Sequence, residues 1–385
     1  MSERKGLFRF ARLSMIAACM WNLDLPAFSK FTKLMYQTYS VVLPALVFLV
    51  PVLMIANFPS LLLTDPNSAI EVTPKMLYCA VLVIKTFSYQ SSRCRYLLTA
   101  AMEEESRLYF INDDEVVRIY EEHIRYCRIF FKFFCISTML PVSTECEIAI
   151  IKSYKFSQNL DAVGDKPMPL VSWYPFDKNR HHIWVMAHQF ISIIVTGCYV
   201  LSVYVYYTSI MIYVRSRLLI LQHYFRNYDQ YQLDGESTTL ETLKVLCAKH
   251  QDLINYINDV NRSVKMTVFL EYSVISILLA TILYQLVEGQ DMSFNLIFAF
   301  VVSAQLMFLA WTTDEITTES VNLATALYES KWYEQSQACK ILIAIMMMGC
   351  RKPLSISIGP FGPMTMVSAM SRLKIAYSYM SVMTS

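Results

Sequence analysis

With 385 residues, 55% of them hydrophobic and only 17% charged, and a mean hydropathy of +0.37, the chain is too apolar to be a soluble domain of its size. A helix needs about 20 residues to cross the hydrocarbon, so the length accommodates roughly seven spans with modest loops and leaves no room for a large soluble domain. The net charge of +2, with no basic patch interleaved with aromatics, excludes a nucleic-acid binder.

Residues 1–32 are basic and amphipathic, and are expected to lie on the cytoplasmic membrane surface rather than to cross it. The first span is expected at 33–59, where Pro44 and Pro51 are tolerated because neighbouring helices re-satisfy the freed backbone groups. A loop at 64–68 leads to a second span at 71–90. From 93 to 128 apolar and charged residues alternate, as in a long helical hairpin outside the lipid. Spans three and four are expected at 126–151 and 182–214, with a loop at 152–180 between them. Residues 215–265 are again charged and periodic, so spans four and five (266–287) project past the bilayer as helices. Span six is expected at 291–313, and 314–337 continues as polar helix.

Two further apolar segments, around 339–350 and 363–383, flank a break rich in helix-stopping residues: Arg351-Lys352-Pro353, then Gly359-Pro360-Phe361-Gly362-Pro363. The pair reads as one broken seventh membrane helix. At about 100° per residue, Ser371, Ile375, Ser378 and Val382 share a stripe, with Arg372 and Lys374 to either side. A stripe alternating hydroxyl with aliphatic suits a helix facing a partly wet lumen, or alternatively a small-residue packing face.

Basic residues concentrate before span one, between spans two and three, and between spans four and five, which places the N-terminus in the cytoplasm and the C-terminus outside. That orientation is the reverse of a G-protein-coupled receptor, and the Asp/Glu-Arg-Tyr and Asn-Pro-x-x-Tyr motifs of such receptors are missing. The sequon Asn261-Arg262-Ser263 then falls inside and should be unglycosylated. The ten cysteines are scattered with no CxxC pair and read as small buried hydrophobes. No cleaved signal peptide is expected. With eight glycines in the chain and no G-x-S-x-G, HExxH or phosphate-cradling loop, neither an enzyme nor a cofactor or metal site is expected.

Trp173-Tyr174-Pro175-Phe176-Asp177 before span four, Tyr328 and Trp332 before the broken helix, Pro353 and Gly359 within its break, and Ala376-Tyr377-Ser378-Tyr379 near its end together resemble the pattern of insect odorant receptors. Met380 departs from that pattern, which favours an aromatic there. The chain also lacks the extended second intracellular loop of the family's shared co-receptor, so it is similar to a ligand-tuning subunit. The resemblance implies an all-α membrane protein of seven transmembrane helices that forms, with the co-receptor, a tetrameric non-selective cation channel gated by volatile ligands in the dendritic plasma membrane of sensory neurons. It implies that residues 314–350 join a cytoplasmic anchor and that 360–385 line the pore, with 33–313 as the ligand-sensing bundle. Counted from Tyr379, Val382 matches the hydrophobic gate and Ser385 a polar position at the outer mouth, with Ile375 and Ser378 on the same stripe.

The resemblance places the ligand site among spans two to six in the outer half of the membrane. There the helices carry Tyr78, Val81 and Leu82, then Thr138 and Val142, then His188, Ser192 and Thr196, and finally Tyr284. Spacings of three or four put members of each group on a shared face. The hydroxyls of Ser192 and Thr196 can equally bond the carbonyl one turn back, and Lys85, Lys132, Glu145, Glu147 and Glu271 read as snorkelling or structural charges. The alternatives are a gustatory-type ligand-gated channel of the same superfamily and a metabotropic seven-span receptor.

Overall fold

Long apolar runs punctuated by charged segments fold as long helices, because only a helix satisfies every backbone donor within its own segment. The computed structural model describes residues 6–20, 30–64, 66–108, 113–158, 165–230 and 238–384. Among these it contains ten α-helices: α1 (Arg9–Ala17), α2 (Lys30–Thr64), α3 (Pro66–Tyr89), α4 (Ser92–Leu108), α5 (Asp114–Gln158), α6 (His182–Arg226), α7 (Thr239–Val287), α8 (Met292–Glu329), α9 (Gln337–Cys350) and α10 (Met366–Thr384). Their starts are encoded locally. Asp113 Oδ1 accepts from the Glu115 and Val116 amides at 3.0 and 3.2 Å, Thr238 and Glu241 form a capping box on α7, and Ser336 caps α9.

Five helices, α2 and α5 to α8, are long and apolar enough to cross a membrane. The other two expected spans, α3 and α10, are about 36 and 29 Å long at 1.5 Å per residue, but α3 carries Glu71, Lys75 and Lys85 and α10 carries Arg372 and Lys374. The charged hairpin appears as α4 and the first turns of α5. The expected loops shrink: helix flanks residue 65 on both sides, and α5 runs on to Gln158.

The centre of the molecule is α6, which packs against α1, α2, α3, α5, α7 and α8. Its second half is buried nearly all round, from Tyr199 to Phe225. That is why its hydropathy continues to Val214, well beyond one bilayer thickness: the C-terminal half of α6 is the core of a helical layer, not a lipid-facing span.

One expectation changes. The N-terminal helix does not lay its apolar face on a lipid surface. Leu7, Phe8, Ala11 and Met15 are at most 1% exposed and press into α6, with Phe8 5.4 Å from Tyr213. Glu105 on α4 anchors that segment by accepting the Leu7 amide at 2.6 Å. Residues 21–29 lie outside the described part. The break expected in the last apolar stretch is present, with α9 before it and α10 after it. α9, only 14 residues long, lies against α8 and α7, and the connector to α10 is tied to those helices too. Leu354 N donates to Ser320 Oγ, Ser357 N to Asn261 Oδ1 and Thr313 Oγ1 to the Met364 carbonyl, at 3.0, 3.0 and 3.1 Å. Gly359 has φ of +57° and sits so close that an added Cβ would lie 3.2 Å from Phe269 Cβ, so glycine is required there. Asn261 Oδ1 accepts from both the backbone amide and the hydroxyl of Ser357.

Candidate functional site

Side chains of α2, α3, α5, α6 and α8, with Leu170 of the loop before α6, line a cavity of about 120 Å³. Cavities of this order lined by carbon take up a molecule of single-ring size. The α5 wall is Ser137, Thr138, Pro141, Val142 and Glu145, and the α8 wall is Phe294, Phe298, Val301 and Gln305. Both sets follow steps of three and four, one face of a helix. Tyr78 of α3 meets Phe298 edge-on at 5.5 Å, while Ser192, Thr196, Gly197 and Val200 of α6 close the back.

Its polar groups are mostly engaged elsewhere. Ser137 and Thr138 both donate to the Phe134 carbonyl and Ser192 donates to the Val47 carbonyl, so these hydroxyls turn carbon toward the space. Lys75 Nζ lies 2.6 Å from Glu145 Oε1 and 5.1 Å from the Phe294 ring centroid, so the two charges neutralise each other at the wall. Gln305 Nε2 reaches Ser137 Oγ at 3.5 Å, and its buried Oε1 has no hydrogen-bond partner among the described residues. Such a space holds a neutral, mostly apolar molecule. Among the described residues no group of three His, Cys, Asp or Glu side chains is arranged to hold a metal ion.

The loop before α6 forms the roof. Gln189, fully buried, accepts the Leu170 amide at 3.1 Å and donates to the Leu170 carbonyl and Ser172 Oγ at 2.9 Å, which sets Leu170 into the cavity wall. Trp173 N donates to the Leu53 carbonyl of α2 at 3.2 Å, pinning the aromatic-proline stretch on the outside.

Beyond Tyr78 and Val200 lies a smaller cavity of about 30 Å³ around a buried ion pair. Lys85 Nζ is 2.7 Å from Glu271 Oε1, Tyr204 Oη donates to the same oxygen at 2.8 Å, and the ammonium stands 4.8 Å from the Tyr204 ring centroid. These three residues join α3, α6 and α7. One turn along α7, Ser276 Oγ donates to the Arg372 carbonyl of α10 at 3.4 Å. On α10, Ala369 and Ala376 are buried against the bundle, whereas Ser371, Ser378, Tyr379 and Val382 are exposed and Ile375 is half-buried.

The family model described as "7tm Odorant receptor" matches residues 65–377. The chain belongs to this odorant receptor family. Among curated relatives, the receptor is 26% identical to Odorant receptor 10 of Aedes albopictus over 39% of the chain and 40% of that protein. It is 22% identical to Odorant receptor Or2 of Anopheles gambiae over 38% and 39%, and 21% identical to Odorant receptor 67c of Drosophila melanogaster over 61% and 59%. The alignments thus span well under two thirds of these relatives' lengths. Its fold is similar to that of the insect olfactory receptor OR5 from Machilis hrabei, with a TM-score of 0.77, 16% identity and coverage of 99% of this chain and 97% of that one. The same receptor in complex with eugenol matches at TM-score 0.79, 15% identity, and 98% and 97% coverage. The receptor is a helical, multi-pass membrane protein, and its family is one of receptors rather than of enzymes.

Of the residues singled out from the sequence, Tyr78, Thr138, Val142, Ser192 and Thr196 come together around the larger cavity. Val81 and Leu82 line the smaller one. His188 lines neither and instead meets Tyr174 Oη at 3.3 Å in the roof loop, and Tyr284 is half-buried near the end of α7, away from both. Ser385 lies outside the described residues. Sequence reasoning missed the α8 wall, although its apolar residues at 294, 298 and 301 carry a helical period. It also missed Gly197, which lets α6 approach α5: a Cβ there would lie 3.1 Å from Val142 Cγ2.

Proposed function

We propose that the receptor is a ligand-tuning subunit of an odorant-gated, non-selective cation channel, which binds a small neutral volatile in the larger cavity and opens a central pore together with the family's co-receptor. The observation that carries this reading is the carbon-lined cavity on which Tyr78, Thr138, Val142, Ser192 and Thr196 converge. Family membership supports the ligand class, as does the likeness to a receptor solved with eugenol. In this reading the N-terminus is cytoplasmic, the C-terminus is outside, and the complex is a heterotetramer in the dendritic plasma membrane of sensory neurons. Residues 314–350 contribute to a cytoplasmic anchor and α10 lines the pore. Val382 supplies an aliphatic collar that stops ions by dewetting, and Ile375, Ser378 and Tyr379 follow it on or beside the stripe. The packing supports a route from ligand to gate: the cavity shares α3 with the Lys85–Glu271 pair, α3 packs on α7, and α7 packs on α10.

The test is whole-cell recording from cells expressing the receptor with its co-receptor and no added nucleotide, against a panel of volatiles. An agonist found on wild type should lose roughly tenfold or more in potency on Thr196→Phe, at unchanged surface expression, because the added ring occupies the cavity. Undiminished potency on that variant would place the ligand elsewhere.

A further inference from the structure

A third pocket lies at the opposite end of the molecule, between α4, α6 and α7. It has a volume of about 60 Å³ and gathers Arg107, Arg217 and Lys249 around a single carboxylate, Glu104. Arg217 Nη1 is 3.0 Å from Glu104 Oε1, and Arg107 Nη1 is 3.6 Å from Glu104 Oε2. Lys249 comes from the facing helix and stands 5.4 Å from the Tyr224 ring centroid. The recess thus holds three cations and one carboxylate over a floor of Ile220, Leu221 and Leu253. The crowding is felt: burial and then the Arg217 guanidinium lower the Lys249 ammonium below its ordinary value, with Glu104 pulling the other way. Bringing like charges together in a partly dry recess is unfavourable unless an anion completes the set.

We propose that this pocket binds a soluble, multiply charged phosphate compound, held by the Arg107 and Arg217 forks and the Lys249 ammonium. Guanidinium groups match phosphate oxygens two at a time, and an ammonium adds a point charge from the other side. Position selects the source of the phosphate. Lys249 precedes Met266, where the apolar run of α7 begins, by roughly 25 Å along the helix axis, beyond the reach of a phosphodiester at the bilayer surface. Nothing in the ligand cavity or the pore reading requires this site.

The test uses the purified full-length receptor assembled with its co-receptor in detergent at fixed salt, titrated with inositol hexakisphosphate, with the co-receptor alone as the blank. Saturable binding should weaken about tenfold or more in Lys249→Met and in Arg217→Gln, the loss expected for one charge-assisted contact. Lys249→Arg should stay within a few-fold of wild type. Arg107→Gln, whose side chain is 77% exposed and so outside the packed core, should weaken binding by a few-fold with an unchanged melting temperature. Affinity should fall as salt rises. Three results would overturn the proposal: no saturation beyond the blank, variants that bind as wild type does, and binding confined to vesicles carrying phosphatidylinositol 4,5-bisphosphate.

Discussion

The two ends of the bundle solve different problems. At the cavity end, five helices line a mostly carbon space, and its polar groups are taken up by backbone carbonyls, by one ion pair and by the loop that roofs the space. At the far end α6 is laced to its neighbours. Arg215 meets Glu315 at 2.8 Å, Arg217 meets Glu104 at 3.0 Å, Gln222 donates to Glu319 at 2.8 Å and Arg226 meets Glu329 at 2.7 Å, which ties α6 to α4 and α8. One end has room for a guest, and the other holds the helices in register. A ligand that shifts helices at the first end must therefore act against the fixed geometry of the second, and the Lys85–Glu271 pair stands between them.

Removing one partner at that junction should have the largest effect. Glu271→Leu leaves the Lys85 ammonium buried and unpaired, a loss of about 3–5 kcal/mol, read as a collapse of surface expression and melting temperature. Adding Lys85→Met should restore much of the expression, because two well-packed apolar side chains can replace a buried pair. Filling the cavity with Thr196→Phe comes next, moving agonist potency and leaving the melting temperature nearly alone. Gln189→Leu should then unpin the roof: it deletes the acceptor for the Leu170 amide and should speed agonist wash-out several-fold, measured as the decay of current on ligand removal.

A pH test sharpens the laced end. Burial raises the Glu105 carboxyl above its ordinary value of 4.5, against the pull of the Leu7 and Phe8 amides. A group with a raised folded value contributes stability that is present below 4.5 and is lost as pH climbs through the folded value. The wild-type melting temperature should therefore decline from about pH 4.5 toward neutrality by an increment that Glu105→Gln lacks. The smallest effect belongs to the exposed Arg226–Glu329 pair, 42% and 50% exposed, where Glu329→Gln should change stability by less than about 1 kcal/mol.

The helices were legible because charge and hydropathy change sharply along the chain: the α4–α5 hairpin, the N-terminal half of α7 and the tail of α8 all announce themselves by their acids and bases. The α5 and α6 walls of the cavity were legible for the same periodic reason. What composition conceals is depth. The C-terminal half of α6 looks like membrane span because protein core and lipid select the same side chains, and α1 looks like a surface helix because its partner is remote in sequence, Ser202 bonding Ser14 across 188 residues. His188 looked like a pocket residue because helical spacing aligns it with Ser192, yet it sits one turn too far out and meets the roof. Lys75 and Glu145 lie on different helices, so no local pattern joins them.

The central claim is that the carbon-lined cavity is where the ligand sits, and ligand size tests it most directly. Dose–response currents for a homologous series of volatiles should be recorded on the receptor with its co-receptor, for wild type, Thr196→Leu and Phe298→Ala. Narrowing the space should shift the optimum to shorter members of the series, and enlarging it should shift the optimum to longer ones, each by roughly tenfold per misfitted methylene. An optimum that stays on the same ligand in all three would contradict the account.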